Sequence, residues 1–399
     1  MKNEFLPFHR PELGEAEITA VVDCLRSGWL TTGPRCREFE QRFASYVGAE
    51  HAVAVNSCTA GLHLALEALG IGPGDGVLVP TMTFTATAEV VQYLGATPVL
   101  VDVDPLTLNL DVEDAERRLL AFPGQVRAII PVHFAGLPCD MHAVSSLALR
   151  YGLSVVEDAA HALPAEYLGR RVGTLGDVAS FSFYATKNIT TGEGGMITTN
   201  DANLAARMRC MSLHGISRDA WKRYTAEGSW YYEVVAAGFK YNMTDIAAAL
   251  GLAQLDRCEA MRARRAEIAA EYTRQFAPVE CLEVPAAGEP WTGHAWHLYP
   301  LRLRLDRLDI DRAQFIDQLR SLGIGTSVHF IPLHLHPHYR DRFRYRPSDF
   351  PTATAIYPQL VSLPLYSAMT DAEVEQVITA VLHLCRRHLV SGERTLLAL

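Results

Sequence analysis

The sequence lacks the marks of secreted, zinc-binding and membrane-spanning proteins. Its eight cysteines form no C-x-x-C pair and show no spacing typical of a zinc site, so they indicate free thiols in a reducing compartment. No segment reaches the roughly 18 apolar residues that a bilayer span requires. Residues 1–17 carry charges and prolines where a signal peptide needs an apolar core. These absences predict a cytoplasmic protein without a membrane partner.

Positive charge is also scarce. Lysine and arginine number 36 against 45 aspartates and glutamates, which gives a formal net charge of -9 at pH 7. This balance argues against a nucleic-acid partner, and it means that any bound phosphate must be held by local donors. Hydrophobic residues nevertheless make up 49% of the 399 residues, so the chain can bury a large core and has the length of about two domains.

Several familiar motifs are missing, among them G-x-G-x-x-G, the P-loop signature, H-E-x-x-H and G-x-S-x-G. Dinucleotide, P-loop, zinc-peptidase and esterase interpretations therefore lose their main support. The histidine-rich run at 329–339 suggests a metal site, because three of its histidines alternate as on one face of a strand. Pro332 and Pro337 interrupt such a strand, so we expect no metal and favour a loop beside a substrate pocket over a metal-dependent hydrolase.

What the chain does contain is an alternation of apolar strands and amphipathic helices. The predicted strands are at 51–55, 76–80, 97–104, 126–132 and 153–158. This alternation predicts an α/β fold with a mainly parallel central sheet covered on both faces, and ligands beyond the carboxyl ends of the strands.

A long helix, predicted at 243–276, precedes a different pattern in the last third of the chain. There the strand-like stretch 294–305 is followed by helices near 312–322 and 371–388. We therefore predict a large domain at 1–255 and a smaller C-terminal α+β domain at 256–399. We interpret residues 230–232 and 294–299 as packing segments.

Residues 155–200 carry the side chains with the clearest chemistry. Asp158 ends a predicted buried strand, where a carboxylate is costly unless it meets a cation or several donors. Lys187 follows the strand-like ASFSF, and the glycines of TGEGG come next and let the backbone pass close to a bound group. Taken singly, the lysine could be a solvated surface residue and the aspartate a helix cap.

The order Asp158-x-x-His161, SFSF-x-x-x-Lys187 and GEGG resembles the DegT/DnrJ/EryC1/StrS family of sugar aminotransferases that use pyridoxal phosphate (PLP). Further matches, in order along the chain, are GWL at 28–30, TGP at 32–34, NSCTA at 56–60, PTMTF at 80–84, HG at 214–215 and FKYNMTD at 239–245. The strings HGISRDAW, HAWHLY and GIGTSVHF are most similar to the branch that forms UDP-4-amino-4-deoxy-L-arabinose. The resemblance implies PLP-dependent transferase fold type I, similar to aspartate aminotransferase.

The resemblance also implies roles for individual residues. Lys187 would be the Schiff-base lysine and proton shuttle, and Asp158 would keep the cofactor's ring nitrogen protonated. His161 would lie near the phenolic oxygen and Phe84 against the ring face. Thr59, Ala60 and Ser182 would bind the cofactor phosphate. The resemblance implies a homodimer with shared active sites, in which Asn242 of the neighbouring subunit would also bind this phosphate. His329 would lie nearest the substrate.

The activity that the resemblance implies is ping-pong transfer of an amino group from L-glutamate to carbon 4 of a nucleotide-linked keto sugar, with release of 2-oxoglutarate. Transamination at carbon 3 remains an alternative. A PLP-dependent sugar 3-dehydratase is disfavoured, because such enzymes replace the lysine with histidine. A sensor that retains the fold is disfavoured because no helix-turn-helix segment or basic patch is present.

Overall fold

The structure is a computed structural model and describes residues 5–216 and 231–390. The α-helices in these ranges are α1 Glu15–Ser27, α2 Pro34–Val47, α3 Cys58–Ala68, α4 Ala86–Tyr93, α5 Val112–Ala121, α6 Met141–Tyr151, α7 Ala202–Met211, α8 Asp245–Phe276, α9 Arg312–Ser321, α10 Pro337–Phe343, α11 Pro351–Ile356 and α12 Asp371–His388. The strands are β1 His51–Val55, β2 Asp75–Pro80, β3 Thr97–Val101, β4 Gln125–Ile129, β5 Ser154–Asp158, β6 Glu166–Tyr167, β7 Arg170–Arg171, β8 Val178–Ser182, β9 Gly195–Thr199, β10 Leu282–Glu283, β11 Thr292–Gly293, β12 Tyr299–Leu303 and β13 Leu360–Leu363.

The central sheet has seven strands in the order β1-β9-β8-β5-β4-β2-β3. Strands β3, β2, β4, β5 and β8 pair in parallel, whereas β9 is antiparallel to both β8 and β1. The prediction of a mainly parallel sheet is therefore confirmed. Strand β9 runs the other way because no helix lies between it and β8, and a return without a crossover element produces an antiparallel pair.

Both faces of the sheet are buried at strand β1, where successive side chains belong alternately to two different apolar cores. Val53 and Val55 join the apolar core that includes α3, whereas Ala52 and Ala54 join the core that includes α2. Side chains on a strand point alternately to opposite faces, so both faces of this strand contact helices. The α/β class predicted from the sequence is confirmed.

The long helix α8 connects this sheet to a second core. It begins at an N-cap formed by Thr244, and its early turns pack against α1 and α2. Its last turns, from Ile268 to Phe276, enter a separate apolar cluster with β12, β13, α9 and α12. The expected domain boundary at 255/256 falls inside this continuous helix, and the two-domain division stays a prediction. Among the helices of the described ranges, none is long and apolar enough to cross a membrane.

The first described residues cross from one core to the other. The backbone N–H of Leu6 donates to Gly323 and its carbonyl accepts from Gly325, each at 2.8 Å. This pairing places Phe8 and His9 beside the cavity described below. No local sequence pattern signals it, because the paired segments are more than 300 residues apart.

Candidate active site

A cavity of about 490 Å³ lies at the carboxyl ends of the parallel strands. Its wall combines loops that follow β2, β5 and β8 with the start of α3, the N-terminal segment and residues near 329 and 365. Seven of the candidate residues line it: Thr59, Phe84, Asp158, His161, Ser182, Lys187 and His329. Ala60 and Asn242 are not on its wall.

Asp158 is the last residue of β5 and is 5% exposed. One carboxylate oxygen, Oδ2, accepts a hydrogen bond from Thr87 Oγ1 at 2.8 Å, and the other accepts from the backbone N–H of Ala160 at 3.1 Å. Burial raises the pKa of this carboxyl. A protonated ring nitrogen in the cavity would supply the positive partner that a buried carboxylate requires.

Lys187 borders the same cavity, in the turn that follows β8. Its backbone N–H donates to the carbonyl of Tyr184 at 2.9 Å, which fixes the start of its side chain. Dense surrounding protein lowers the pKa of the amine to about 8, although Asp158 opposes this shift. A substantial fraction of the amine is therefore neutral near pH 8, and only the neutral form is a nucleophile.

Helix α3 points its N-terminus at the cavity. Ser57 caps the helix, with its hydroxyl accepting from the backbone N–H of Ala60 at 3.1 Å, so that amide is already engaged. Thr59 and Ser182 border the cavity beside the cap. A Cβ on Gly195 would lie 2.6 Å from the carbonyl carbon of Ser57, so glycine is needed for β9 to approach the helix start this closely. A helix start with neighbouring hydroxyls suits a phosphate group.

The aromatic side chains of the wall include Phe84 and His161. Phe84 is 60% exposed although it is apolar, and it borders the cavity, so its ring is available to a ligand. The imidazole of His161 stacks on Phe330 with centroids 5.8 Å apart, and burial lowers its pKa well below the ordinary value. Its Nδ1 atom is buried without a hydrogen-bond partner in the described residues. The site therefore keeps a neutral imidazole with polar capacity unused.

The histidines of 329–339 point to different partners. The Nδ1 atom of His329 contacts Ser362 Oγ at 2.8 Å, and burial lowers its pKa to about 4. The Nδ1 atom of His334 contacts Thr81 Oγ1 at 2.8 Å. In the part of the chain that the structure describes, no three histidine, cysteine or carboxylate side chains converge as a metal site.

Asn242 lies apart from the cavity of its own chain. Its amide nitrogen donates to Thr32 Oγ1 and its Oδ1 accepts from the ammonium of Lys240, each at 2.6 Å. Its role in the active site of a neighbouring subunit stays a prediction. The end of the HGISRDAW string, at 217–221, and Trp230 lie outside the described residues.

Several residues of the cavity wall belong to no motif in the sequence. Phe8, His9 and Thr87 line the cavity through contacts that no motif marks. In the segment 294–299, which we interpret as packing, Tyr299 is buried in the second core, and His297 is buried and also borders the cavity. The sequence signal that could have indicated His297 is Asn188, because it directly follows the candidate lysine. In the structure the side chain of Asn188 is hydrogen-bonded to His297.

The donor set of this cavity fits PLP. A partly neutral lysine can bind an aldehyde, a buried carboxylate can pair with a ring nitrogen, and a helix start can hold a phosphate. The unpartnered Nδ1 of His161 and the exposed ring of Phe84 are free to contact a polar aromatic ring.

Comparison with known proteins gives the same assignment. Residues 11–382 match the DegT/DnrJ/EryC1/StrS aminotransferase family. The Spore coat polysaccharide biosynthesis protein SpsC of Bacillus subtilis is 49% identical over 381 residues, covering 95% of this chain and 97% of SpsC.

Solved structures extend the likeness to the cofactor. Spr1654 from Streptococcus pneumoniae, assigned as a sugar aminotransferase and solved in a PLP form, matches with a TM-score of 0.88 and 35% identity over 96% of this chain and 99% of its own. DesV of S. venezuelae, solved in complex with a ketimine intermediate, matches with a TM-score of 0.84 and 35% identity over 92% and 94%. The chain therefore belongs to the DegT/DnrJ/EryC1/StrS aminotransferase family and is a PLP-dependent sugar aminotransferase.

Proposed function

We propose that this enzyme transfers an amino group from L-glutamate to carbon 4 of a nucleotide-linked keto sugar. The observation that carries the proposal is a lysine of lowered pKa bordering the same cavity as the buried carboxylate of Asp158. The carbon-4 position and the nucleotide rest on the likeness of three strings to one branch of the family, together with the sugar-pathway names of relatives such as SpsC.

PLP, when bound, supplies an electron sink that makes a neighbouring C–H bond acidic. In this proposal the Nζ atom of Lys187 removes the proton from the α carbon of glutamate, and in the second half-reaction it returns a proton to the sugar carbon that gains nitrogen. The carboxylate of Asp158 keeps the ring nitrogen protonated. One basic group therefore serves both halves of a ping-pong cycle.

The remaining residues hold and orient the cofactor. Thr59 and Ser182 would donate to its phosphate beside the α3 N-terminus, Phe84 would lie against the ring, and His161 would lie near the phenolic oxygen. The backbone N–H of Ala60 donates to the hydroxyl of Ser57 at 3.1 Å, so it joins the phosphate donors only if the Ser57 side chain rotates away. We further propose that Asn242 completes the phosphate site of the partner in a cytoplasmic homodimer, and that His329 contacts the sugar.

The lowered pKa of Lys187 gives a pH prediction. Because the amine loses its proton near pH 8 rather than near 10.5, the rate at which the apoprotein binds the PLP aldehyde should rise up to about pH 8 and then level off. Stopped-flow absorbance after adding PLP, at pH values on either side of 8, measures this rate. A rate that still climbs above pH 10 would mean that the amine is fully solvated.

A substrate panel tests the proposed reaction. UDP-, GDP- and dTDP-linked 4-keto sugars, each mixed with L-glutamate, should include at least one that yields 2-oxoglutarate and a 4-amino sugar. An amine at carbon 3 of a 3-keto sugar would favour the alternative position. Protein that keeps the PLP absorbance but turns over no member of either series would indicate a sensor and refute the proposal.

A further inference from the structure

Next to Lys187 lies a buried pair, Asn188 and His297, to which the proposed reaction gives no role. The amide nitrogen of Asn188 donates to the backbone carbonyls of Leu163 at 2.8 Å and Ala295 at 2.9 Å. Both of its hydrogens are thus used, which fixes the orientation of the amide. The Oδ1 atom must then accept from His297 Nδ1, 3.0 Å away. His297 therefore carries its proton on Nδ1.

This arrangement leaves Nε2 of His297 as a bare acceptor. Burial lowers the pKa of the imidazole well below its ordinary value, and a neutral ring protonated on Nδ1 has only a lone pair at Nε2. Within residues 5–216 and 231–390, Nε2 has no hydrogen-bond partner. The ring of His161 packs against His297 with centroids 4.4 Å apart and planes tilted by 41°, and no hydrogen bond joins the two rings.

His297 is 6% exposed and borders the reaction cavity. Its Nδ1 edge faces Asn188 in the protein interior, so the opposite edge, with Nε2, is the one that a ligand in the cavity can reach. An acceptor on the cavity wall that no protein donor reaches is open to a hydrogen bond from a bound ligand.

The chemistry of the reactants narrows what can supply this hydrogen. The carboxylates of glutamate and 2-oxoglutarate only accept, and the amine of glutamate is the reacting group. A keto oxygen also only accepts. The donors that remain belong to the sugar nucleotide, as hydroxyl groups and base N–H groups. Among these, the hydroxyl groups of the reacting sugar are the ones next to the carbon that must lie beside Lys187.

We propose that Nε2 of His297 accepts a hydrogen bond from a hydroxyl group of the sugar substrate, and that Asn188 is the positioning residue that holds the imidazole in the accepting tautomer. This inference rests on the proposed function. It makes His297 a specificity-determining residue of the sugar half-reaction and gives it no part in the glutamate half-reaction.

Two replacements of His297 separate this role from packing. His297→Asn keeps a side-chain amide within reach of Asn188 but places no atom where Nε2 was. His297→Gln is longer and can present its carbonyl oxygen near that position. The two half-reactions are followed separately by cofactor absorbance, using L-glutamate with the PLP form and the best nucleotide-linked 4-keto sugar of the panel with the amine form.

The expected result is asymmetric. His297→Asn should slow the sugar half-reaction by about 10-fold or more, because the substrate hydroxyl loses its acceptor. The rate of the glutamate half-reaction should stay within about twofold of the wild-type rate. His297→Gln should recover most of the lost rate. Equal slowing of both halves, or a Gln variant worse than the Asn variant, would indicate packing and overturn the inference.

The tautomer itself can be measured. Imidazole ¹⁵N chemical shifts of the holoenzyme should show His297 protonated on Nδ1, and Asn188→Ala should lose that preference. A wild-type ring protonated on Nε2 would overturn the inference whatever the kinetics. If wild-type enzyme completes the glutamate half but aminates no nucleotide-linked keto sugar, the proposed function fails, and the inference fails with it.

Discussion

Replacing Lys187 with alanine is expected to lower kcat/KM by about 10³-fold or more, because the variant loses both the covalent anchor of the cofactor and the base that moves the proton. The side chain borders the cavity and makes no side-chain hydrogen bond within the described residues, so the fold should survive its removal. Steady-state kinetics and cofactor absorbance measure the loss.

Chemical rescue controls for misfolding of the Lys187→Ala variant. A small primary amine added to the solution can enter the cavity and act as the base, so it should restore part of the activity in proportion to its concentration and basicity. Circular dichroism and thermal unfolding should match those of the wild type. Substantial turnover without added amine would show that another group moves the proton.

Replacing Asp158 with asparagine has the second largest expected effect, a loss of about 10²-fold or more in kcat/KM. The amide has nearly the shape of the carboxylate but no charge, so it cannot keep a proton on the ring nitrogen of PLP. The variant should still bind PLP at Lys187. Stopped-flow traces of the glutamate half-reaction should show slow proton removal, whereas an undiminished rate would remove Asp158 from the mechanism.

Thr87→Val provides a graded control for this carboxylate. Valine has the shape of threonine but removes the hydroxyl that donates to Asp158 Oδ2 at 2.8 Å. That hydrogen bond lowers the pKa of the carboxyl, so its loss should raise the pKa further and move the acid limb of kcat/KM to higher pH. At the optimum the loss should be far smaller than for Asp158→Asn.

The elements of the central sheet could be predicted because their signals are local. Strand β1 and helix α12 have the predicted bounds, and β5 ends at Asp158 as expected. Continuous apolar runs mark strands that are buried on both faces, and periodic apolar positions mark the helices that cover them. The residues that follow these strands border one cavity, because the carboxyl ends of parallel strands lie at the same edge of the sheet.

The missed features depend on contacts between distant parts of the chain. The stretch 294–305 is strand-like throughout, but its first residues bond Gly136, Ala135 and Asn188 instead of a sheet, so β12 begins only at Tyr299. Phe8 reaches the cavity through the pairing of Leu6 near Gly323. Such contacts follow from the three-dimensional arrangement and leave no periodic trace in the sequence.

The role of Lys187 is tested most directly by finding which lysine holds the cofactor. The chain has four lysines, Lys2, Lys187, Lys222 and Lys240. Borohydride reduction of the PLP-loaded enzyme, followed by proteolysis and mass spectrometry, should give a single pyridoxyl-modified peptide carrying the label on Lys187. A label on any of the other three, or no label on enzyme that is active with PLP, would contradict the assignment of Lys187 as the Schiff-base lysine.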